Sequence, residues 1–248
     1  MEIISKIKRI FQRQKDWSAR EAYKIWSETY DSEQDNLILF YDNIILKEFL
    51  SKINFKEKTI LDYGCGTGRN WQEIFNHNPG KIIGCDISPE MLSKVKIKFP
   101  NAETHLLQNE KLTFLADKSC DIIISTLVIA HIKNLNNLFR EWDRVIRDKS
   151  EIIITDLHPQ ILENGGSRSF HVVTNSGSYN DKTVTIKNFI HKINKIEKLL
   201  HQSGFRTSDL IEKKIDEDVK LFYEKKNAIG VYERFKGLPF IYGLYLTR

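Results

Sequence analysis

Cysteine is scarce in this chain. Cys65, Cys85 and Cys120 are too few and too scattered for a disulfide framework or a structural zinc site, so no metal is expected and a reducing cytoplasm is. Long apolar runs are missing as well. The longest, around Ile122–Ile124 and Leu127–Ala130, are broken by Ser125 and Thr126 and fall far short of a bilayer span. The basic N-terminus lacks the continuous apolar core of a signal peptide. Internal repeats, low-complexity tracts and linkers are absent, so 248 residues are expected to form one α/β domain with embellishments. Nor is there a strong charge of one sign, the formal balance being a mild +5. Part of that excess sits at one end, where Lys6, Lys8, Arg9, Arg13, Lys15 and Arg20 face only Glu2 and Asp16. It reads as a solvated helix face rather than a nucleic-acid footprint. Neither nucleic acid nor a membrane is expected as a partner, and the chain is expected to be a monomer or homodimer.

What is present has a clear grammar. Ile3, Ile7 and Ile10 recur at helical spacing, a second helical stretch runs through Ala22, Trp26 and Tyr30, and a third through Ile38–Leu50. From Thr59 onward short apolar runs alternate with helical segments. Strands are expected at Thr59–Asp62, Lys81–Asp86, Thr104–Leu107, Cys120–Ser125 and Glu151–Asp156. Helices are expected at Asn70–Asn76, Pro89–Phe99 and Leu135–Arg147. Such alternation implies βαβ units and a parallel sheet buried on both faces. After Asp156 the pattern changes. Phe170–Val173 and Thr183–Phe189 read as two strands joined by the polar turn Asn175–Asp181. A helix His191–Gln202, a helical stretch Glu217–Arg234 and an alternating strand Phe240–Thr247 follow.

The strongest local signal is Ile60-Leu61-Asp62-Tyr63-Gly64-Cys65-Gly66-Thr67-Gly68. A strand turning sharply into a helix needs glycine where φ is positive and where a ligand lies against bare backbone. The spacing is G-x-G-x-G, not the G-x-G-x-x-G that sets pyrophosphate on a helix N-terminus, which disfavours a nicotinamide dehydrogenase. The acid two residues before the first glycine suits a ligand that carries positive charge there. Asp86 ends the next strand in Ile83-Gly84-Cys85-Asp86-Ile87-Ser88-Pro89-Glu90-Met91-Leu92. A carboxylate at that place can accept both hydroxyls of a ribose. Its structural alternative is a helix cap, but Ser88 before Pro89 fills that role better. Gln108-Asn109-Glu110 after the third strand completes the set.

On these residues the sequence resembles the class I S-adenosylmethionine-dependent methyltransferases, most closely from Thr59 to Pro159. It is similar to their small-molecule branch in Trp26-Ser27-Glu28-Thr29-Tyr30-Asp31. The resemblance implies a Rossmann-like α/β fold: a seven-stranded, mostly parallel sheet with its last strand antiparallel and helices on both faces. An N-terminal helical cap (residues 1–35), a cofactor-binding core (36–158), a hairpin insertion after the fifth strand (159–190) and a C-terminal completion of the sheet (191–248) would make one domain. It also implies a cofactor, S-adenosyl-L-methionine. Asp62 with Gly64, Cys65, Gly66, Thr67 and Gly68 would hold the methionine part, and Asp86 the ribose. Ile87 and Met91 would flank the adenine, with Gln108, Asn109 and Glu110 at its edge. Tyr30, Ser125 and Leu127 would close the cleft. Two departures stand out: Gln108-Asn109 where the family often has Asp-Ala, and Asp148-Lys149-Ser150 where it usually has Pro-Gly-Gly.

Methyl transfer is an in-line displacement, so the protein must align nucleophile, methyl and sulfur and exclude water. A neutral alcohol or ammonium acceptor also needs a base. Candidate bases lie at the carboxyl ends of parallel strands, where open α/β sheets bind ligands. His131 follows the fourth strand, His158 the fifth, and His191 starts the helix after the hairpin; each also has a plain structural reading. Where amino-methylating nucleic-acid enzymes resemble one another in Asn/Asp-Pro-Pro-Tyr/Phe, this chain reads Ser125-Thr126-Leu127-Val128. Cys120 lies at the strand's start, away from the place of a cytosine-C5 nucleophile. The expectation is therefore methylation of an oxygen or nitrogen of a small molecule, under a lid formed by Glu2–Asp31 and Pro159–Phe189. That lid would carry Trp17, Tyr23, Trp26, Tyr30, Phe170 and Tyr179. The alternatives are a tRNA or protein methyltransferase and a non-catalytic S-adenosylmethionine-binding protein.

Overall fold

A computed structural model describes residues 16–33, 36–173 and 179–248 of the chain. The helix expected over Ile3, Ile7 and Ile10, residues 174–178 of the expected turn and the Tyr179 side chain lie outside what is described. Five parallel strands come first: β1 (Thr59–Tyr63), β2 (Lys81–Asp86), β3 (Glu103–Leu106), β4 (Cys120–Thr126) and β5 (Ile146–Leu157). β6 (Arg168–Val173) and β7 (Tyr179–Ile186) form a separate antiparallel hairpin. β8 (Arg206–Lys214) and β9 (Pro239–Thr247) then complete a seven-stranded sheet of order β3-β2-β1-β4-β5-β9-β8. β9 runs antiparallel to both of its neighbours, and every other pairing among β1 to β5 is parallel.

The buried strands owe their place to unbroken isoleucine. Ile122, Ile123, Ile124, Ile152, Ile153 and Ile154 are all fully buried, because helices cover both faces of the sheet. On one face lie α2 (Leu37–Leu50), α3 (Trp71–Phe75), α4 (Pro89–Lys98) and α9 (Ile229–Phe235), which bring Ile45, Phe49, Trp71, Val95 and Phe235 into one core. On the other lie α5 (Leu135–Val145) and α7 (Ile193–Gln202), with Leu138, Trp142, Ile196 and Leu200. Local chemistry sets the helix starts. Asn36 caps α2 by accepting from the Ile38 and Leu39 amides, and Ser88 caps α4 through the Met91 amide, with Pro89 in the first turn.

A third core stands apart from the sheet. α1 (Ala19–Trp26), capped reciprocally by Ser18 and Glu21, packs Ala22 and Trp26 against Phe170, Val184 and Ile186 of the hairpin. Trp26 stacks on Phe170 at 4.6 Å and on Tyr23 at 5.7 Å. Trp17 extends the hairpin, its amide donating to the Thr185 carbonyl and its carbonyl accepting from Lys187.

Three expectations are corrected. β8 replaces a stretch to which no element was given. The single helix Glu217–Arg234 is a 3₁₀ turn (Glu217–Val219), α8 (Lys220–Lys225) and α9, because Asn227 takes φ 52° and ends α8. β5 begins at Ile146, so α5 stops at Val145 instead of Arg147.

Candidate active site

The carboxyl ends of β1, β2 and β4 border a cavity of about 370 Å³, within the range of small-molecule sites. Its floor is the β1 turn. Gly64 and Gly66 have φ of 76° and 54°, a region costly to a side chain, and no atom lies within 4 Å of where a Gly66 Cβ would stand. Gly64 instead meets the Val128 side chain, so a Cβ there would lie 2.3 Å from Val128 Cγ2.

Of the residues expected at the cofactor, ten line this cavity: Tyr30, Gly64, Gly66, Asp86, Ile87, Met91, Gln108, Asn109, Glu110 and Leu127. Five do not. Asp62 is turned into the core, where Trp71 Nε1 donates to its Oδ2 at 2.7 Å, and burial pushes its pKa up to about 7. The Thr67 hydroxyl donates to Asp31 at 2.6 Å, tying the segment after α1 to the glycine turn. Cys65 is buried, its thiol pushed up by desolvation, and Gly68 lies over Trp71. Ser125 is fully buried with no partner for its hydroxyl, while its neighbours Thr126 and Leu127 line the cavity. Successive side chains of a strand face opposite sides, so Ser125 and Thr126 cannot both face it.

Asp86 has the geometry of a ligand acceptor held in advance. Its Oδ2 accepts from the Gly66 amide and its Oδ1 from the Ser88 amide, each at 2.9 Å. Burial raises its pKa, and these backbone donors oppose the rise. Both oxygens keep lone pairs for further donors. Sequence reasoning missed Tyr63, Thr126, Val128, Ile132, Lys133 and Phe189 on the cavity wall. Alternation along β1 and β4 signals Tyr63 and Thr126; no local signal marks Phe189, which arrives from beyond the hairpin.

Behind the cavity's far wall lies a polar network centred on Arg168, which is 1 % exposed. Its Nη2 donates to Asp156 Oδ1 at 3.0 Å and its Nη1 to the Leu127 carbonyl at 2.7 Å. Nη1 also lies 3.0 Å from the Tyr23 hydroxyl and 2.6 Å from His131 Nε2. His131 Nδ1 is 3.3 Å from the Lys187 carbonyl, which as an acceptor requires the proton on Nδ1 and leaves Nε2 its lone pair. Burial, then the Arg168 charge, push the His131 pKa down to about 3. Burial holds the Tyr23 phenol up at about 12.

Residues 61–154 match the family described as "Methyltransferase domain". The demethylmenaquinone methyltransferase of Chlorobaculum parvum is 25% identical over 220 residues, covering 82% of this chain and 90% of that one. The malonyl-[acyl-carrier protein] O-methyltransferase of Marinomonas sp. is 29% identical over 136 residues, 53% of this chain and 48% of its own. A S-adenosylmethionine-dependent methyltransferase from Clostridium acetobutylicum superposes with a TM-score of 0.62 at 14% identity, over 90% of this chain and 96% of that one. At that identity the likeness is one of fold. Residues 61–154 carry a methyltransferase domain, and the chain is an S-adenosylmethionine-dependent enzyme. Its cofactor is S-adenosylmethionine, and the open backbone at Gly66 beside a buried, pre-oriented Asp86 fits such a ligand.

The three histidines of this methyltransferase part company. His131 lines the cavity. His158 does not: its Nδ1 accepts from the Gln160 amide at the start of α6 (Pro159–Glu163), and its Nε2 pairs with Glu212 at 2.7 Å. Burial lowers its pKa against the pull of Glu212. His191 donates to the Ile132 carbonyl at 2.7 Å and borders a recess of about 10 Å³ behind Phe189, room for one water. Among the described residues no cluster of three or more His, Cys, Asp or Glu could hold a metal, and no helix is long and apolar enough to cross a membrane.

Proposed function

We propose that this methyltransferase moves a methyl group to an oxygen or nitrogen of a small, partly apolar acceptor, in metabolite biosynthesis in the cytoplasm. The observation that carries the reading is the cover over the cavity. α1 and the β6–β7 hairpin pack on each other through Trp26 and Phe170, and Ala19 and Tyr23 of α1, with Tyr30 just after it, face the interior. Such a wall suits a molecule that enters the protein and is screened from water. The C. parvum and Marinomonas relatives, both named for small or carrier-bound acceptors, lend support.

When bound, S-adenosylmethionine supplies a methyl carbon already activated by its sulfonium. In this reading Gly64 and Gly66 give bare backbone to the methionine part, and Asp86 accepts from the ribose hydroxyls. Ile87 and Met91 flank the adenine, with Gln108, Asn109 and Glu110 at its edge, while Tyr30 and Leu127 close the cleft. Asp62, Cys65, Thr67, Gly68 and Ser125 act from behind the wall, shaping the turn and the strand end. Residues 36–158 then form the cofactor unit, 1–35 and 159–190 the acceptor cover, and 191–248 the remainder of the sheet. His131, with its lone pair taken and its pKa depressed, orients an acceptor rather than removing its proton. Alignment and water exclusion carry the reaction.

The test is release of S-adenosylhomocysteine from S-adenosylmethionine in the presence of a small-molecule filtrate of cell extract, a tRNA fraction or a protein fraction. Turnover driven by the filtrate supports the reading. Turnover with tRNA or protein alone overturns it, and binding without turnover in any fraction favours a non-catalytic binding protein.

A further inference from the structure

We propose that Arg168 is a positioning residue for methyl transfer: it fastens the hairpin to the ends of β4 and β5 and thereby fixes the faces that Tyr23, Leu127 and His131 turn to the cavity. The inference rests on the methyltransferase reading of the site and adds a residue outside the methyltransferase-domain match, which ends at residue 154.

The geometry is specific. Arg168 opens β6, 145 residues from Tyr23, 41 from Leu127 and 37 from His131, and one guanidinium nitrogen touches all three. Those three residues line the cavity; Arg168 itself does not. Its other terminal nitrogen is anchored on Asp156, which also accepts from the Leu157 and Ala130 amides at 2.7 and 2.8 Å. One side chain therefore references α1, the β4 turn and the hairpin to the rigid end of β5.

Stability alone is a poor reason to keep such a residue. A buried ion pair seldom outdoes well-packed apolar side chains of similar volume, and the Arg168 Nε has no partner. What Arg168 holds is itself strained. Leu127 takes φ 61°, unusual for a bulky side chain, and its carbonyl accepts the Arg168 proton while its amide donates to the Thr155 carbonyl at 2.8 Å. Without the guanidinium the turn has one anchor fewer, and the faces of Tyr23 and His131 lose their common reference. His131 would also change character. Facing it are Tyr23 from α1, Arg168 from β6, the Lys187 carbonyl after β7 and, through the same guanidinium, Asp156 of β5. Removing the cation takes away its repulsion of a protonated imidazole, so the His131 pKa rises.

The experiment compares wild type with Arg168→Met and Arg168→Lys by three readouts: S-adenosylhomocysteine affinity by calorimetry, S-adenosylmethionine turnover with the small-molecule filtrate, and the His131 ring titration by NMR. Both variants are expected to bind S-adenosylhomocysteine within about threefold of wild type. Turnover is expected to fall about 10²-fold in Arg168→Met, the order that a small misplacement of reacting groups produces, with partial recovery in Arg168→Lys. The His131 midpoint is expected to move up from about 3 in Arg168→Met. Should Arg168→Met fail to fold, Arg168→Lys decides by its turnover at unchanged affinity. Wild-type turnover in a folded variant, or a loss matched by lost cofactor affinity, overturns the proposal. Failure of the wild-type protein to bind S-adenosylhomocysteine would instead overturn the reading on which it rests.

Discussion

The glycine turn makes a crossed prediction for two substitutions only two residues apart. Gly64→Ala and Gly66→Ala both place a side chain at positive φ, which costs roughly 1–2 kcal/mol. The new Gly64 methyl also lands 2.3 Å from Val128 Cγ2, and overpacking of this kind adds about 1–3 kcal/mol. The Gly66 methyl meets nothing within 4 Å, because it enters the space lined for a ligand. Gly64→Ala should therefore lose roughly 2–5 kcal/mol of stability, at about 2–4 °C of melting temperature per kcal/mol for a chain of this size. Gly66→Ala should lose only the roughly 1–2 kcal/mol of its backbone conformation. Its S-adenosylhomocysteine affinity should fall by about 1–3 kcal/mol, roughly 5- to 150-fold. Thermal melts and calorimetry on the two variants give both axes. Equal destabilisation, or unchanged affinity in Gly66→Ala, would refute a Cβ direction toward Val128 at Gly64 and toward the ligand at Gly66.

Other substitutions probe the remaining parts of the site. Asp86→Ala should weaken S-adenosylhomocysteine binding by about 2–4 kcal/mol, as loss of two charge-assisted hydrogen bonds requires, and calorimetry reads it directly. The Asp62 carboxyl, raised from 3.8 to about 7, binds a proton in the folded state that the unfolded chain has released. Its contribution to stability is therefore fully present at low pH and declines as pH rises from about 4 to about 7, by an amount on the order of 4 kcal/mol. Asp62→Asn should accordingly melt above wild type at pH 8 and match it near pH 4; the reverse order in denaturation curves would dismiss the buried-acid account. His158→Ala and His191→Ala should retain filtrate-driven turnover, since neither ring borders the cavity, and His158→Ala should lose about 1 kcal/mol with its cap on α6. A hundredfold loss of turnover in either would restore that residue as a base. Trp26→Ala should cost about 3–5 kcal/mol, confined to α1 and the hairpin; hydrogen exchange that rises equally in β1, β4 and β5 would contradict a separate core.

The parallel strands were legible because burial on both faces leaves an apolar run that little else explains, as in Ile122–Ile124 and Ile152–Ile154. β8 escaped notice for the opposite reason. It is an edge strand whose residues alternate between exposed and half-buried, so Arg206–Lys214 contains only Leu210 and Ile211 as large apolar side chains. The closing helix was overread because helical spacing continues across Asn227, and only its left-handed φ interrupts the chain. At the site, motif order placed Asp86 and the glycines. It could not say that Asp62 turns toward Trp71, since that depends on a ring brought in by α3. Arg168 and Phe189 lay beyond reach for a similar reason. Their neighbours in space are remote in sequence, and nothing local distinguishes a buried arginine from a solvated one.

The hairpin and α1 bury their apolar faces on each other instead of on the sheet. Their Trp26–Phe170 contact joins segments on either side of the parallel strands, so its loop-closure cost falls once β1 to β5 have brought the two ends together. On the proposed division of the chain, substitutions in this roof would remodel which acceptor is received while the floor keeps the same cofactor, provided that the few polar ties between them survive.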